Sequence, residues 1–347
     1  MAGDTIAAAP PRAPLLRDTR VLAPALLLLL VAAALLALWQ GATRIPWTAL
    51  FDAEQEQARA ILLNLRLPRV ALGVLVGAGL AMAGAALQGL LRNPLADPGL
   101  IGVSSGGALA AGLYIVLLAH QVHGWPALYA LGAVTFAGAL GACVMIFRFA
   151  QRRADGSIVA LLLVGIAFNA IALAGIGLLT FFSNDEQIRS YSFWTLGTLG
   201  RADWQHVIAI GSLMLPAAWW LQRQAAALNV LQLGERDAQF SGVDSARCKR
   251  AVLLAVALLT AATVAAAGLI SFVGLMAPHW LRLCGVGDHR ALLPLSALAG
   301  AILILLADTL ARTLVIPAEM PVGILTSLLG GPFFLWLVQR RWRGLRT

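Results

Sequence analysis

Uncharged apolar runs of about 20 residues recur from one end of this chain to the other, and they constrain the fold more than any other feature. A helix of that length matches the hydrocarbon core of a bilayer. Apolar residues make up 60% of the 347 residues and charged residues only 12%, which is more apolar content than a soluble domain of this size needs. The sequence therefore predicts an all-α, polytopic membrane protein.

We place about ten transmembrane helices in one domain, at 21–347, after a charged cytoplasmic leader at 1–20. The apolar segments lie near 21–40, 67–91, 99–118, 127–147, 157–182, 204–222, 248–267, 269–283, 291–310 and 321–339. The short segment at 269–283 has the length of a half-helix. The long leader favours a retained first helix over a cleaved signal peptide.

The basic residues indicate the orientation of the chain in the membrane. With the N-terminus inside, 18 of the 25 Lys and Arg residues fall in cytoplasmic segments. The positive-inside rule then predicts that both the N-terminus and the C-terminus lie in the cytoplasm. The net charge of +9 is spread along the chain and forms no basic domain, so we expect membrane lipid and no nucleic acid as a partner.

The sequence contains no nucleotide-hydrolysing motif. Lys249 is the only lysine, and no Gly-Lys-Ser/Thr triplet occurs, so the phosphate-binding loop of ATPases is missing. The three cysteines have no metal-ligand spacing, and we expect no metal site and no tightly bound cofactor. Any energy that this chain uses must therefore come from another subunit or from an ion gradient.

The most specific motif spans residues 65–107. Arg66 and Arg69 flank a proline, and an uncharged helix rich in Gly and Ala follows, with Gly77 and Gly84 on a face suited to tight helix packing. This pattern closely resembles the permease subunits of type II (FecCD-type) ABC importers for iron-siderophores, haem and cobalamin. The resemblance extends, with interruptions, over nearly the whole chain after the first helix.

This resemblance implies an importer of the bacterial inner membrane that is assembled from several subunits. Two permease copies would form the pathway at their interface, as a homodimer, with a heterodimer as the alternative. Two cytoplasmic ATP-binding subunits would hydrolyse ATP, and a periplasmic binding protein would deliver the substrate.

The resemblance also assigns three arginines to docking of the binding protein. The matching residues here are Arg66, Arg69 and Arg312, and in the resembled family they receive glutamates from the two lobes of that protein. A guanidinium group binds a carboxylate through two hydrogen bonds, and complementary charge sets orientation and association rate. Snorkelling at the membrane boundary is the alternative. We also expect an ion pair between Asp308 and Arg312, four residues apart on one helix.

The turn Asn93-Pro94-Leu95 follows the second apolar segment at its cytoplasmic end. Its proline and the later Pro98 predict a rigid turn that ends one helix and precedes the next. The resemblance implies that Asn93, Pro94 and Leu95 form part of the cytoplasmic gate.

The longest cytoplasmic connection carries a segment, at about 226–244, in which apolar and polar residues alternate. This alternation predicts two short amphipathic helices joined at Gly234. The resemblance implies that they couple the permease to the ATPase, with Leu228, Leu231, Gly234, Glu235 and Gly242 as candidate residues. A generic solvated loop is the alternative.

Two other classes of protein fit the sequence less well. An ion-coupled secondary transporter places acids or histidines at mid-membrane, whereas Asp308 lies near the end of a segment and His279 has no acid within one turn. A membrane-embedded enzyme is disfavoured because the serines and histidines here lack the surrounding residues of known catalytic motifs.

The substrate is indicated by the outer segment at 184–200. Its residues Asp185 to Arg189 look like the version found in haem importers, although Arg201 stands where those proteins more often have a small residue. We expect haem as the transported substrate, with a ferric siderophore or cobalamin as alternatives. His120 and His123 are candidates for a weak haem contact because imidazole binds iron, and a solvated loop is the alternative.

Overall fold

The computed structural model describes residues 19–41, 56–151, 158–316 and 318–343, and every regular element among them is a helix. This agrees with the predicted all-α class. Most of the predicted leader at 1–20 lies outside the described residues.

Fourteen α-helices make up these residues, interrupted by short π- and 3₁₀-helical turns. They are α1 Thr19–Trp39, α2 Glu56–Ile61, α3 Leu67–Leu90, α4 Val103–Leu113, α5 Trp125–Gln151, α6 Ile158–Phe181, α7 Asp185–Thr195, α8 Trp204–Arg223, α9 Ala225–Leu231, α10 Glu235–Phe240, α11 Ser245–Ala267, α12 Val273–Leu283, α13 His289–Thr313 and α14 Val322–Arg343. Each of the ten predicted segments coincides with a helix.

Six helical stretches are long and apolar enough to cross a membrane, judged by length and composition. They are Thr19–Trp39, Glu56–Leu90, Tyr129–Ala150, Ala160–Phe181, Ser245–Ala267 and His289–Thr313. Two shorter apolar helices cover Val103–Leu118 and Val322–Leu337. The count of about ten membrane spans stays a prediction.

The half-helix suggested by the segment at 269–283 is α12, which has 11 residues. At about 1.5 Å per residue it reaches roughly half of the hydrocarbon thickness of a bilayer. The chain leaves α11 at Gly268 and enters α12 through Phe272, and both residues have positive φ angles, of 72° and 68°. The break between the two helices is therefore a defined backbone turn.

Helix α3 lies at the centre of the bundle, where it packs against α8, α11, α12 and α13. Of its 24 residues, 18 are buried. By contrast, α1 and α6 leave many large apolar side chains exposed, as expected for helices that face lipid.

Glycines bring the backbone of α3 directly against its neighbours. A Cβ atom at Gly77 would overlap the backbone of Gly300 in α13, and one at Gly84 would overlap the carbonyl group of Gly274 in α12. Helices in a bilayer associate through such close contacts because lipid tails are as apolar as leucine. The predicted packing face of this segment is confirmed.

A π-helical turn, Leu62–Arg66, leads into α3 just before Pro68. Proline cannot donate a backbone hydrogen bond, so helical hydrogen bonding is disturbed in the preceding turn. The indole Nε1 of Trp204 donates to the Leu63 carbonyl oxygen at 2.9 Å. This contact fixes the start of α8 beside the entry to α3.

The close contact between α3 and α12 predicts a selective loss of stability. We expect Gly84→Ala to destabilise the protein by about 1–3 kcal/mol, because the added methyl group meets backbone that cannot move aside. Gly141→Ala in α5 is the matched control, since nothing lies within 4 Å of a Cβ there. It should leave stability unchanged or slightly increased, because alanine favours helix more than glycine does. Thermal unfolding of the purified protein in detergent measures both, and equal unfolding temperatures would contradict the packing argument.

Candidate functional site

Functional residues predicted from the sequence lie at both ends of the helix bundle. Following the predicted topology, we call the end with Arg66 and Arg312 the outer end, and the end with Asn93 and Phe240 the inner end.

At the outer end, Arg69 joins α3 to α13 through a buried acid. Its Nε and Nη2 atoms lie 3.0 and 2.9 Å from the two carboxylate oxygens of Asp308, and its Nη1 atom lies 2.8 Å from a carboxylate oxygen of Glu319. Asp308 is also 3.2 Å from Nε of Arg312, which is the ion pair predicted four residues apart. Only 4% of the Asp308 side chain is exposed, so these arginines, rather than water, stabilise its charge.

Arg66 and Arg312 both bind the carboxyl end of α1. Arg66 Nη1 donates to the carbonyl oxygens of Leu38 and Trp39, at 2.7 and 3.1 Å. Arg312 donates to those of Ala37 and Gln40, at 2.9 and 3.2 Å. The last carbonyl groups of a helix have no hydrogen-bond partner within the helix, and these two arginines supply one. Their positive charges also interact favourably with the negative end of the helix dipole.

The three predicted docking arginines are therefore neighbours, although their present partners belong to this chain. The part of the network nearest to solvent is Glu319, whose side chain is 52% exposed, while that of Arg69 is 12% exposed. Sequence reasoning missed Glu319 because 250 residues separate it from Arg69 and no local pattern links them. Docking by these arginines stays a prediction.

At the inner end, the chain turns sharply after α3. The Oδ1 atom of Asn93 accepts a hydrogen bond from the backbone N–H of Leu95 at 3.0 Å, and Arg92 adopts a positive φ of 50°. An asparagine side chain that bonds the backbone two residues later is a common way to stabilise a turn. The rigid turn at Asn93-Pro94-Leu95 is confirmed, and its role as a gate stays a prediction.

A buried glutamine fastens α3 to α12 just before this turn. Gln88 donates to the carbonyl oxygen of Gly274 at 3.2 Å and accepts a hydrogen bond from Nη1 of Arg282. A polar side chain buried in an apolar bundle is costly unless it is bonded in this way. The position of the turn is thus set by contacts one turn earlier in the helix.

The predicted pair of short helices at 226–244 is present as α9 and α10. They are joined at Gly234, whose φ of 134° is a conformation that other residues rarely adopt. Glu235 begins α10 and pairs with Nζ of Lys249 at 2.6 Å, and Gly242 follows the helix with a φ of 79°. The local sequence was sufficient to predict these two helices, because both the alternation of apolar and polar residues and the glycine affect the backbone within a few residues.

The apolar residues of this segment divide into two groups. Leu228 and Leu231 are buried in the core of this chain, where α9 packs against α3 and α13. Leu233 and Phe240 are exposed, by 72% and 90%. A partner subunit would therefore meet Leu233 and Phe240, whereas Leu228 and Leu231 hold the segment in place.

Helix α9 is also bonded to the start of α13. The Oδ1 atom of Asn229 accepts the backbone N–H of His289 at 2.9 Å, and its amide donates to Asp288. Gln232 lies 2.9 Å from Nδ1 of the buried His289. Hydrogen bonds from the Arg290 backbone N–H and then from Asn229 lower the pKa of Asp288. The hydrogen bonds of Asn229 and Gln232 attach the segment to the start of α13.

The two candidate histidines at the outer end differ in position. His120 lines a cavity of about 500 Å³ between the end of α4 and the start of α7, whereas His123 is exposed and lies 3.2 Å from the Gln121 carbonyl oxygen. The structure therefore brings His120, and not His123, to this cavity. Among the described residues, no group of three His, Cys, Asp or Glu side chains is placed to hold a metal ion.

Arg201 and His206 are outer-end residues that the sequence did not identify as part of a site. Both line a second cavity of about 150 Å³, and Arg201 lines the larger one as well. In the sequence, Arg201 was only an unusual residue beside the outer segment. Its position between the two cavities depends on how α7 and α8 pack, which no local pattern reports.

The chain is similar to transport permeases over most of its length. It is 48% identical to the hemin transport system permease protein HmuU of Yersinia pestis, over 91% of this chain and 94% of that protein. It is 40% identical to the vitamin B12 import system permease protein BtuC of Citrobacter koseri, over 85% and 87% of the two chains. A solved metal-chelate type ABC transporter in an inward-facing conformation superposes with a TM-score of 0.83 at 33% identity, covering 93% of this chain and all of that one.

The family model described as the FecCD transport family matches residues 28–340. This match covers nearly all of the helical domain, including the outer arginine network, the inner turn and the segment of α9 and α10. The chain belongs to the FecCD transport family.

Proposed function

We propose that this chain is the membrane-spanning subunit of an ATP-driven ABC importer that moves haem from the periplasm to the cytoplasm. The observation that carries the proposal is the 48% identity, over 91% of the chain, to a relative whose name states hemin transport. The relatives named for vitamin B12 import are less similar, at about 40% identity. Cobalamin is therefore the second candidate substrate.

The outer segment that first suggested haem includes helix α7, whose start is capped. Asn184 and Gln187 form a reciprocal capping box at the start of α7, and the Gln187 amide also donates to the Val116 carbonyl oxygen at 2.9 Å. These contacts hold the first turn of α7 against the end of α4. Asn184, Glu186 and Gln187 line the larger outer cavity, and their position supports the proposal that a substrate entering from outside meets this part of the segment.

Reconstitution tests the function directly. The chain, co-expressed with its cognate ATPase and supplied with its binding protein, should accumulate haem in proteoliposomes only when ATP is available to the ATPase. Haem, a ferric siderophore and cobalamin are offered in parallel. Accumulation of cobalamin or siderophore instead of haem would keep the importer and refute the substrate, and ATP-independent accumulation driven by an ion gradient would refute the ABC mechanism.

Coupling to the ATPase is proposed to act through the exposed face of the segment of α9 and α10. The side chains of Phe240 and Leu233 are apolar and exposed at the inner end, whereas those of Leu228 and Leu231 are buried and pack the segment against the helix bundle. Exposed apolar side chains of this size indicate a contact with another protein or with lipid. The bonds of Asn229 and Gln232 to the start of α13 would then pass a movement of this face to the helix bundle.

This arrangement predicts an uncoupled variant. We expect Phe240→Asp to lower both ATP-driven uptake and stimulation of the ATPase by at least roughly tenfold, because a central apolar anchor of an interface commonly contributes more than 1.4 kcal/mol. Phe240→Leu keeps an apolar side chain and serves as the control. ATPase assays and uptake on the same proteoliposomes measure the effect, and full stimulation in the Asp variant would exclude Phe240 from the coupling contact.

Docking of the binding protein is proposed to use the outer arginine network. Arg69 is already bonded to Asp308 and Glu319, so an incoming carboxylate must take the place of the more exposed one, Glu319. Asp308 is buried and holds Arg69 in position throughout. The docking surface is thus partly occupied by an acid of the chain itself.

If Glu319 competes with a carboxylate of the binding protein for Arg69, removing the charge of Glu319 should strengthen docking. We expect Glu319→Gln to tighten binding of the binding protein to the complex in nanodiscs, with the largest gain at low salt, because Arg69 is freed for the partner. Glu186→Gln removes another acid at the outer end and is the control for net charge. Equal effects of the two variants, or weaker binding of Glu319→Gln, would show that docking does not involve Arg69.

A further inference from the structure

Two cavities at the outer end share a wall. The larger, of about 500 Å³, lies between the end of α4 and the start of α7, and the smaller, of about 150 Å³, lies between α7, α8 and the end of α11. Leu131 and Arg201 line both of them. Arg201 belongs to the short connection between α7 and α8 and is exposed, so a ligand in either cavity could reach its guanidinium group.

Two of the titratable groups around these cavities have partners within the chain. Glu319 is bonded to Arg69 at 2.8 Å, and His206 Nδ1 lies 2.8 Å from Asp203. Glu186 lies in the first turn of α7, where the helix dipole favours a negative charge.

Arg201 differs from these groups. Within the described residues it has neither an ion pair nor a hydrogen bond to a side chain, and it is the only arginine or lysine that lines the cavities. An unpaired guanidinium group beside a cavity is suited to bind an anionic group of a ligand, above all a carboxylate.

The smaller cavity has a mainly apolar wall, whereas polar side chains make up much of the wall of the larger one. Tyr114 and Ile115 line the larger cavity, and Phe193 and Trp194 line the smaller one. The larger volume falls in the usual range of small-molecule sites, about 300–1,000 Å³. An apolar wall beside the guanidinium group of Arg201 suits a flat apolar molecule that carries a carboxylate at its edge.

We propose that Arg201 binds a propionate group of haem in a transient subsite formed by these two cavities, an inference that rests on the proposed function. Haem has the required shape, because its macrocycle is apolar and its two carboxylates lie along one edge. An exposed arginine gives an attraction that solvent weakens, so the subsite receives haem without retaining it. In this chain, although the resembled haem importers more often have a small residue there, Arg201 would act as a specificity residue, because it distinguishes a dicarboxylate porphyrin from an equally apolar neutral one.

Equilibrium binding to the permease–ATPase complex in nanodiscs tests the subsite without turnover. Haem and haem dimethyl ester are titrated separately and followed by the change in Soret absorption. We expect Arg201→Ala to weaken haem binding by roughly tenfold, as for the loss of one charge-assisted hydrogen bond, and to leave binding of the ester unchanged. Arg201→Lys keeps the charge and should retain most of the affinity.

Arg59→Ala is the matched control, since Arg59 is an exposed arginine of α2 that lines neither cavity. Unchanged haem binding by Arg201→Ala, or an equal loss for haem and its ester, would overturn the subsite. If wild-type proteoliposomes import haem while Arg201→Ala binds it normally, only the subsite fails. If they import cobalamin and not haem, the proposed function fails and the subsite falls with it.

Discussion

Helix α3 can occupy the centre of this bundle because its neighbours meet it at glycines. Gly77 lies against Gly300, and Gly84 lies against Gly274, so backbone packs on backbone with no side chain between the helices. Lipid provides little hydrophobic force for helix association, and close van der Waals contact takes its place. These contacts set the register of α3 against α12 and α13, and the polar networks at both ends of the bundle depend on that register.

Both ends of α3 carry polar groups that are costly to bury unpaired. Arg69 holds Asp308 of α13 at the outer end, and Gln88 holds Arg282 of α12 at the inner end. A single continuous helix thus joins the predicted docking surface to the predicted gate. In the proposed importer, ATP binding would shift the equilibrium between arrangements of the helix bundle. Because α3 is one continuous helix, we expect it to move as a rigid body in that change.

Local patterns in the sequence predicted the local structure well. The alternation around Gly234 predicted two short helices, and the length of the segment at 269–283 predicted a half-helix. The contacts of single side chains could not be predicted in this way. Leu231 and Leu233 lie two residues apart in the same segment, yet the first is buried and the second is 72% exposed, because α3 and α13 cover only one side of α9. Tertiary packing decides that difference, and a single sequence does not encode it in any short pattern.

For the arginines at the outer end, residue type and motif predicted a shared location but not the contacts of each side chain. Sequence motifs assigned the same docking role to Arg66, Arg69 and Arg312. In the structure, Arg66 and Arg312 donate to carbonyl groups at the end of α1, whereas Arg69 pairs with the buried carboxylate of Asp308. Arg201 matched no motif and is the one arginine among the described residues that line the outer cavities, where it has no ion pair. A pathway must attract its cargo weakly enough to release it. A solvent-exposed cation meets that requirement better than the arginines of the outer network, which are bonded within the chain, because its charge is available and yet screened by water.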